Sequence, residues 1–136
     1  MTSAALELQR GVFAALLADA DLSAAMGTVR LYDQAPANAK FPYLTFGRTS
    51  VYDWSTDTET GAEHLVTLHV WSKARGKSEC HALIETVRGA LDDAALALDG
   101  HALIRLRMEY SEVRYEDDND VHHGLIRFRA LTEAAA

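Results

Sequence analysis

The residues best suited by type to do chemistry gather near the C-terminal end, where His122-His123 follow Asp117, Asp118 and Asp120. Imidazole and carboxylate are ordinary ligands of zinc and similar ions, so a metal centre is the first chemistry to weigh. Neighbouring residues of a strand point to opposite faces, and His122 and His123 therefore do not share one ion unless the loop runs on past them. A calcium loop starting at Asp118 fails too, because its fifth position is His122 and its sixth is His123, where glycine is required. The segment reads as a solvated hairpin end. Cys80 and His81 set a nucleophile beside a base, but neighbours on a helix face about 100 degrees apart, so the imidazole does not activate the thiol. Cys80 reads as core. The chain has no glycine-rich phosphate loop, no paired carboxylates in an apolar setting and no Gly-x-Ser-x-Gly elbow. The expectation is a protein that is not an enzyme and uses no metal and no cofactor.

Composition narrows the class further. The chain has 136 residues, 49% of them hydrophobic, which suits one domain over residues 1–136 with an ordinary core. Apolar stretches are interrupted well before the ~18 residues needed to cross a bilayer, and Met1 to Gly11 carries Glu7 and no basic leader, so a soluble, unprocessed chain without a membrane partner is expected. The single cysteine excludes an intramolecular disulfide and fits a reducing cytoplasm. A formal net charge of -7 argues against a tight grip on DNA, which needs clustered Lys and Arg. The charge is sorted by position: acidic residues bunch at Asp53 to Glu63 and at Glu116 to Asp120, while Arg105, Arg107, Arg127 and Arg129 alternate along the last strands.

The elements that would position these residues follow from periodicity. Ser3 caps a first helix with Leu6, Val12, Phe13, Leu16 and Leu17 as its apolar face, weakened slightly by Gly11. A short helical turn follows from Asp21, as N-cap, to Met26, stopped by Gly27. Val29 to Tyr32 starts a sheet, and Asp33 to Lys40 forms an exposed loop. Pro42, which supplies no ladder donor, favours an edge position for a strand running from Tyr43 to about Trp54, with Tyr52 and Trp54 on one face. After the polar tip Asp57 to Gly61, the returning strand alternates His64, Val66, Leu68 and Val70 against Leu65, Thr67, His69 and Trp71. Both faces are largely apolar, which implies a central position or a subunit interface.

Ser78 is the expected N-cap of a helix burying Cys80, Leu83, Ile84, Val87 and Leu91. Asp99-Gly100 is the dipeptide a two-residue hairpin turn prefers, between Leu96-Ala97-Leu98 and His101-Ala102-Leu103-Ile104. Ile104, Leu106, Met108 and Tyr110 then alternate against Arg105, Arg107, Glu109 and Ser111. A closing strand from Val121 to about Leu131 pairs with it, ahead of a frayed tail from Thr132 to Ala136. Arginines facing each other across that pair would cost ~0.2 to 1 kcal/mol unless they stagger or a neighbour supplies carboxylates. The fold class is α+β: a mostly antiparallel sheet, two main helices on one face and a long hairpin.

The ordered series Phe41-Pro42-Tyr43-Leu44-Thr45-Phe46-Gly47, Tyr52-Asp53-Trp54-Ser55, Val66-Thr67-Leu68-His69-Val70-Trp71-Ser72 with Gly76, Leu96-Ala97-Leu98-Asp99-Gly100-His101 and Gly124-Leu125-Ile126-Arg127-Phe128-Arg129 resembles the tail completion family of long-tailed bacteriophages and gene transfer agents. The likeness covers nearly the whole chain; Lys77-Ser78 after Gly76 departs from the aromatic residue common there. The resemblance implies a structural virion protein, a tail terminator whose hexameric ring caps the tail tube and joins it to the head. Its implied partners are further copies of itself, the tail tube protein and a head-completion or stopper protein, with DNA passing through without specific binding. Its place would be the tail–neck region of the virion, reached from the host cytoplasm. Within such a ring Trp54, Leu65 and Trp71, with Asp53, Asp57 and Glu59, are expected at a subunit or tube interface, and Asp117, Asp118 and Asp120 at the channel. The competing expectation is a small cytoplasmic α+β enzyme or ligand-binding domain with a pocket near Trp54 and His69.

Overall fold

The computed structural model describes residues 3–135. The order is α1 (Ala4–Ala18), α2 (Ala20–Met26), β1 (Leu31–Tyr32), β2 (Tyr43–Asp53), β3 (Gly61–Ser72), α3 (Ser78–Leu91), β4 (His101–Glu116) and β5 (Val121–Ala134). One five-stranded sheet has the order β1-β2-β3-β5-β4. Only β1 lies parallel to its neighbour; the other pairings are antiparallel. This is the α+β architecture the patterning predicts, and β3 lies at its centre.

The core lies between the sheet and the helices. Leu8, Val12 and Leu16 of α1 and Cys80, Leu83, Ile84, Val87 and Leu91 of α3 are buried with Val66, Leu68, Val70, Leu106, Ile126, Phe128 and Ala130 from one face of the sheet. Full burial of one such side chain contributes about 1.5–3 kcal/mol. Gly124 lets α3 press against the strands: a Cβ there would sit 3.2 Å from Ile84 Cδ1 and 3.2 Å from Val70 Cβ.

Several local expectations are corrected. In α1 the inward face is Leu8, Val12 and Leu16, while Leu6, Phe13 and Leu17 are exposed. The helix carries two apolar stripes, and packing selects the one that meets α3. Glu7 is buried on the adjoining side, where it accepts from the Asp99 amide at 3.2 Å and from Arg10 at 2.9 Å. Gly11 admits the loop before β4, with Leu98 Cδ2 3.1 Å from the place of a Cβ. Asp19 rather than Asp21 caps α2, accepting from Leu22 N at 2.9 Å. Ser78 is the first residue of α3, not its cap; Lys77 stands at the cap without a side-chain bond. The sheet starts at Leu31, and Leu96 to Leu98 contributes only the bridge Leu98–His101. Trp54 falls beyond the end of β2.

The two last strands depart most from simple alternation. Register shifts between Leu103 and Arg105 and between Met108 and Tyr110 make Ile104 and Glu109 extra residues. Such bulges reset which side chains face inward. Leu106 is therefore buried, whereas Ile104 and Tyr110 are 50% and 44% exposed. At the end of the chain β5 runs on to Ala134: Thr132 is buried, and the amides of Ala134 and Ala135 bond to Thr60 O and Gly100 O. The expected fraying is thus overturned through Ala135, and Ala136 lies outside the described residues.

Candidate functional site

The helices cover one face of the sheet and leave the other open. On β3 His64, Val66, Leu68 and Val70 are buried beneath the helices, while on the open face Leu65, His69 and Trp71 are half-buried and Thr67 is buried. Register stacks that face in rows across the strands. Tyr43, Trp71, His123 and Arg114 form one row, Thr45, His69, Leu125 and Glu112 the next, and Ser50, Leu65, Arg129 and Arg107 lie toward the opposite end.

The first two rows hold a polar and aromatic cluster. Trp71 stacks on His123 with ring centroids 4.1 Å apart and planes at 5°, and on the neighbouring strand Tyr43 lies 6.4 Å from Trp71 by ring centroid. The Trp71 indole donates to Thr45 Oγ1 at 3.0 Å. His69 Nδ1 lies 2.7 Å from His123 Nε2, and His123 Nδ1 lies 3.0 Å from Glu116 Oε1. Burial opposes charge on Glu116, but the His123 hydrogen bond and charge outweigh it and hold its carboxyl below the usual value. The carboxylate accordingly accepts from His123 Nδ1–H, and the tautomer sets which of His69 Nδ1 and His123 Nε2 donates across their 2.7 Å contact. Burial, then the neighbouring His123, depresses the His69 pKa. Gly47 closes the cluster: a Cβ there would fall 2.3 Å from His69 Nε2.

Alternation correctly separates His122 from His123. His123 joins the open-face cluster, and His122 pairs with Ser72 and lies 5.0 Å from Tyr115 by ring centroid. Among the described residues no group of three or more His, Cys, Asp or Glu is arranged to hold a metal ion. The Cys80 thiol is buried, which pushes its pKa up to about 11, and its Sγ lies 3.5 Å from His122 O.

The residues singled out in the sequence fall at three places. Asp53, Trp54, Asp57 and Glu59 stand together at the free end of the β2–β3 hairpin, where Val51 through Thr60 are all exposed. Asp53 Oδ1 accepts from Ser55 Oγ at 2.6 Å and Ser55 N at 3.1 Å, and these bonds lower its pKa. Leu65 lies mid-face, and Trp71 lies at the far end. Near it is the turn between β4 and β5, where Asp117, Asp118 and Asp120 are exposed and Tyr115 donates to Asp120 Oδ1 at 2.6 Å. Trp54 and His69 are therefore not in one pocket: Asp53 pairs with Ala62, and His69 pairs with Thr45 at the other end of the hairpin.

One group escaped sequence reasoning, and for another the structure decides between the two alternatives the sequence left open. The Glu116–His123–His69 chain spans three strands, and its one signal was the alternation that placed His69 beside Trp71. The arginines divide: Arg107 faces Arg129 directly, while Arg105 faces Leu131 and Arg127 faces Tyr110. Carboxylates within the chain neutralise the opposed pair: Asp92 and Asp93 lie 3.4 and 3.8 Å from Arg107, and Glu63 pairs with Arg129, accepting from its Nε at 2.6 Å.

Comparison with known proteins completes the picture. The family model described as Tail completion protein gp17 matches residues 10–133. A solved chain from the virion of a native gene transfer agent (GTA) particle superposes with a TM-score of 0.89 and 31% sequence identity, covering 98% of this chain and 100% of that one. No curated protein matches the sequence. No helix among the described residues is long and apolar enough to cross a membrane.

Proposed function

From the premise that this chain belongs to the tail completion protein gp17 family, we propose that it is a tail terminator, a single domain whose copies close into a hexameric ring on the end of the tail tube. Its role is structural, within the tail region of the virion. The ring would meet the tail tube protein on one side and a head-completion or stopper protein on the other, after assembly in the host cytoplasm. DNA would pass through without a specific site.

The observation that carries this reading is the open face of the sheet. A lone subunit leaves Leu65, His69 and Trp71 half-exposed on its central strand while the helices seal the other side. A sheet face that sets Leu65 and Trp71 among polar side chains is the kind a partner covers, and in a closed assembly the neighbouring copy or the tube supplies the cover. Trp54, Asp53, Asp57 and Glu59 extend the same contact surface at the hairpin end. Asp117, Asp118 and Asp120 are assigned to the wall of the passage, where carboxylates repel phosphate and let DNA slide.

The test is removal of the gene, followed by electron microscopy of the particles. Tails separated from heads, with tubes of irregular length, are expected, and full-length protein supplied in trans should restore joined particles. Normal joined particles from the deletion strain would refute the terminator role. Reversal of charge at Asp117, Asp118 and Asp120 tests the passage: unchanged assembly and unchanged DNA delivery would remove that assignment.

A further inference from the structure

Beyond Thr45, where the two-residue β1 no longer covers it, β2 forms one edge of the sheet and β4 the other, and the two carry unlike charge. From Thr49 to Ser72 the chain has no lysine or arginine, and Asp53, Asp57, Glu59 and Glu63 fall in that stretch. The exposed hairpin end is therefore an acidic arm beside β2. Across β3 and β5 from the base of the arm, β4 presents the opposite sign, because the register runs Tyr52–Glu63–Leu131–Arg105 and Ser50–Leu65–Arg129–Arg107. Arg105, Arg107 and Arg129, with Glu109 and Leu131, line an open depression of about 250 Å³. Arg107 and Arg129 have internal carboxylate partners, but among the described residues Arg105 has none. The other end of the sheet is mixed in charge, since β4 carries Arg114 there beside its carboxylates. Lys40 precedes β2 and Lys73 sits with its Nζ 5.0 Å over the Phe41 ring, whereas Glu116, Asp117 and Asp118 lie at the end of β4.

Apolar exposure follows the same two edges. Val51, Tyr52 and Trp54 on the arm are 50%, 54% and 45% exposed, and Ile104 and Tyr110 on β4 are 50% and 44% exposed. Three antiparallel pairings separate β2 from β4, so the two edges themselves run antiparallel. A second copy displaced sideways by one sheet width and shifted along the strands, without inversion, sets the tip of its arm beside the depression of the first. That contact is heterologous: each copy offers one arm and one depression, and repetition about an axis closes a ring. Backbone pairing is not the main contact, because the β4 edge is occupied at its middle, where Asp93 N bonds to Leu106 O and Asp92 Oδ1 accepts from Met108 N. Side chains therefore carry the seam.

We infer that the acidic arm of one copy, through Asp57 and Glu59, seats in the arginine depression of the next copy, with Val51, Tyr52 and Trp54 packed against Ile104 and Tyr110. This inference rests on the ring reading and names its seam; the open face is then left for the tube. The occupant is a second copy because this chain itself supplies a complementary acidic arm on its opposite edge, with the base of the arm at Ser50 and Tyr52 level with Arg107 and Arg105.

Two charge-reversed forms of the full chain test it. One carries Asp57→Lys with Glu59→Lys on the arm, and the other carries Arg105→Glu in the depression. All three sites are exposed, so circular dichroism and thermal melting should match the unaltered protein. Ring formation is followed by sedimentation and native mass spectrometry, alone and on purified tail tubes of the same particle. Each variant alone should associate about ten-fold more weakly, a loss of about 1.4 kcal/mol, because like charges then face each other across the seam. An equimolar mixture should recover rings in which the two forms alternate, because each arm again meets a depression of opposite sign. Two results would overturn the seam: rings from either variant at unaltered strength, or weakened variants whose mixture does not recover. A loss of tube attachment with self-association intact would also overturn it, and would make the tube protein the occupant. If the unaltered chain forms no closed oligomer with or without tubes, the ring reading itself fails, and the seam fails with it.

Discussion

Replacing Gly47 with alanine would test how the open face is held together. The new Cβ would lie 2.3 Å from His69 Nε2, 2.7 Å from His69 Cδ2 and 3.2 Å from Thr67 Cγ2. Real carbon contacts do not approach that closely, so the imidazole must turn away. Turning breaks the 2.7 Å bond to His123 and leaves a part-buried nitrogen without its partner, which costs about 1–3 kcal/mol. Overpacking strain is of similar size, about 1–3 kcal/mol. The lost backbone freedom of the unfolded chain offsets about 0.4–1 kcal/mol of this. The net expectation is a destabilisation of about 2–3 kcal/mol, or a fall in Tm of roughly 6–12 °C for a chain of this size. Urea unfolding followed by tryptophan fluorescence measures it, with an unchanged slope indicating an unchanged unfolded state. The decisive comparison is a double-mutant cycle with His69→Ala, which removes the ring that the methyl would strike. In that background Gly47→Ala should be neutral or slightly stabilising, giving a coupling of about 2 kcal/mol. A coupling below about 0.5 kcal/mol would refute the close-approach argument.

Three further outcomes are expected. His64 and His69 both have depressed pKa values, with burial the leading cause in each. The unfolded chain therefore takes up protons first as pH falls below the ordinary value of 6.5, and stability should decline from that point and level off below the folded pKa values. The decline should shrink in His69→Gln, and a melting temperature flat between pH 7 and pH 5 would contradict the assignment. Glu7→Ala should cost about 1–2 kcal/mol in chemical denaturation, because the Asp99 amide loses its acceptor at a buried helix face; an effect below about 0.5 kcal/mol would show that water replaces it. Leu65→Asp should leave thermal stability within about 1 kcal/mol, since the side chain is only half-buried, yet abolish joining of tails to heads in a complementation assay. Full complementation would exclude Leu65 from any contact surface.

Family likeness, the α+β class and the central, two-faced strand were all legible in the residues themselves. Local information suffices for these: the period of Cys80, Leu83, Ile84, Val87 and Leu91 admits only a helix, and the alternation from His64 to Trp71 admits only a strand with two faces. Reading failed wherever two local answers were equally good. Helix α1 carries one stripe through Leu8, Val12 and Leu16 and another through Leu6, Phe13 and Leu17, and only docking on α3 chooses between them. Strand β4 alternates well in either phase, and the bulges at Ile104 and Glu109 that set the phase arise from pairing with β5.

The candidate site divides in the same way. Chain order by itself determined that Asp53, Trp54, Asp57 and Glu59 share one hairpin end, and that Asp117, Asp118 and Asp120 share another, because a turn keeps near neighbours together. Only the tertiary structure decided that Glu116, His123 and His69 form one chain of hydrogen bonds, and that Arg105, Arg107 and Arg129 form one depression. Those contacts join residues distant in sequence, and strand order and register, which no local propensity encodes, determine which of them meet.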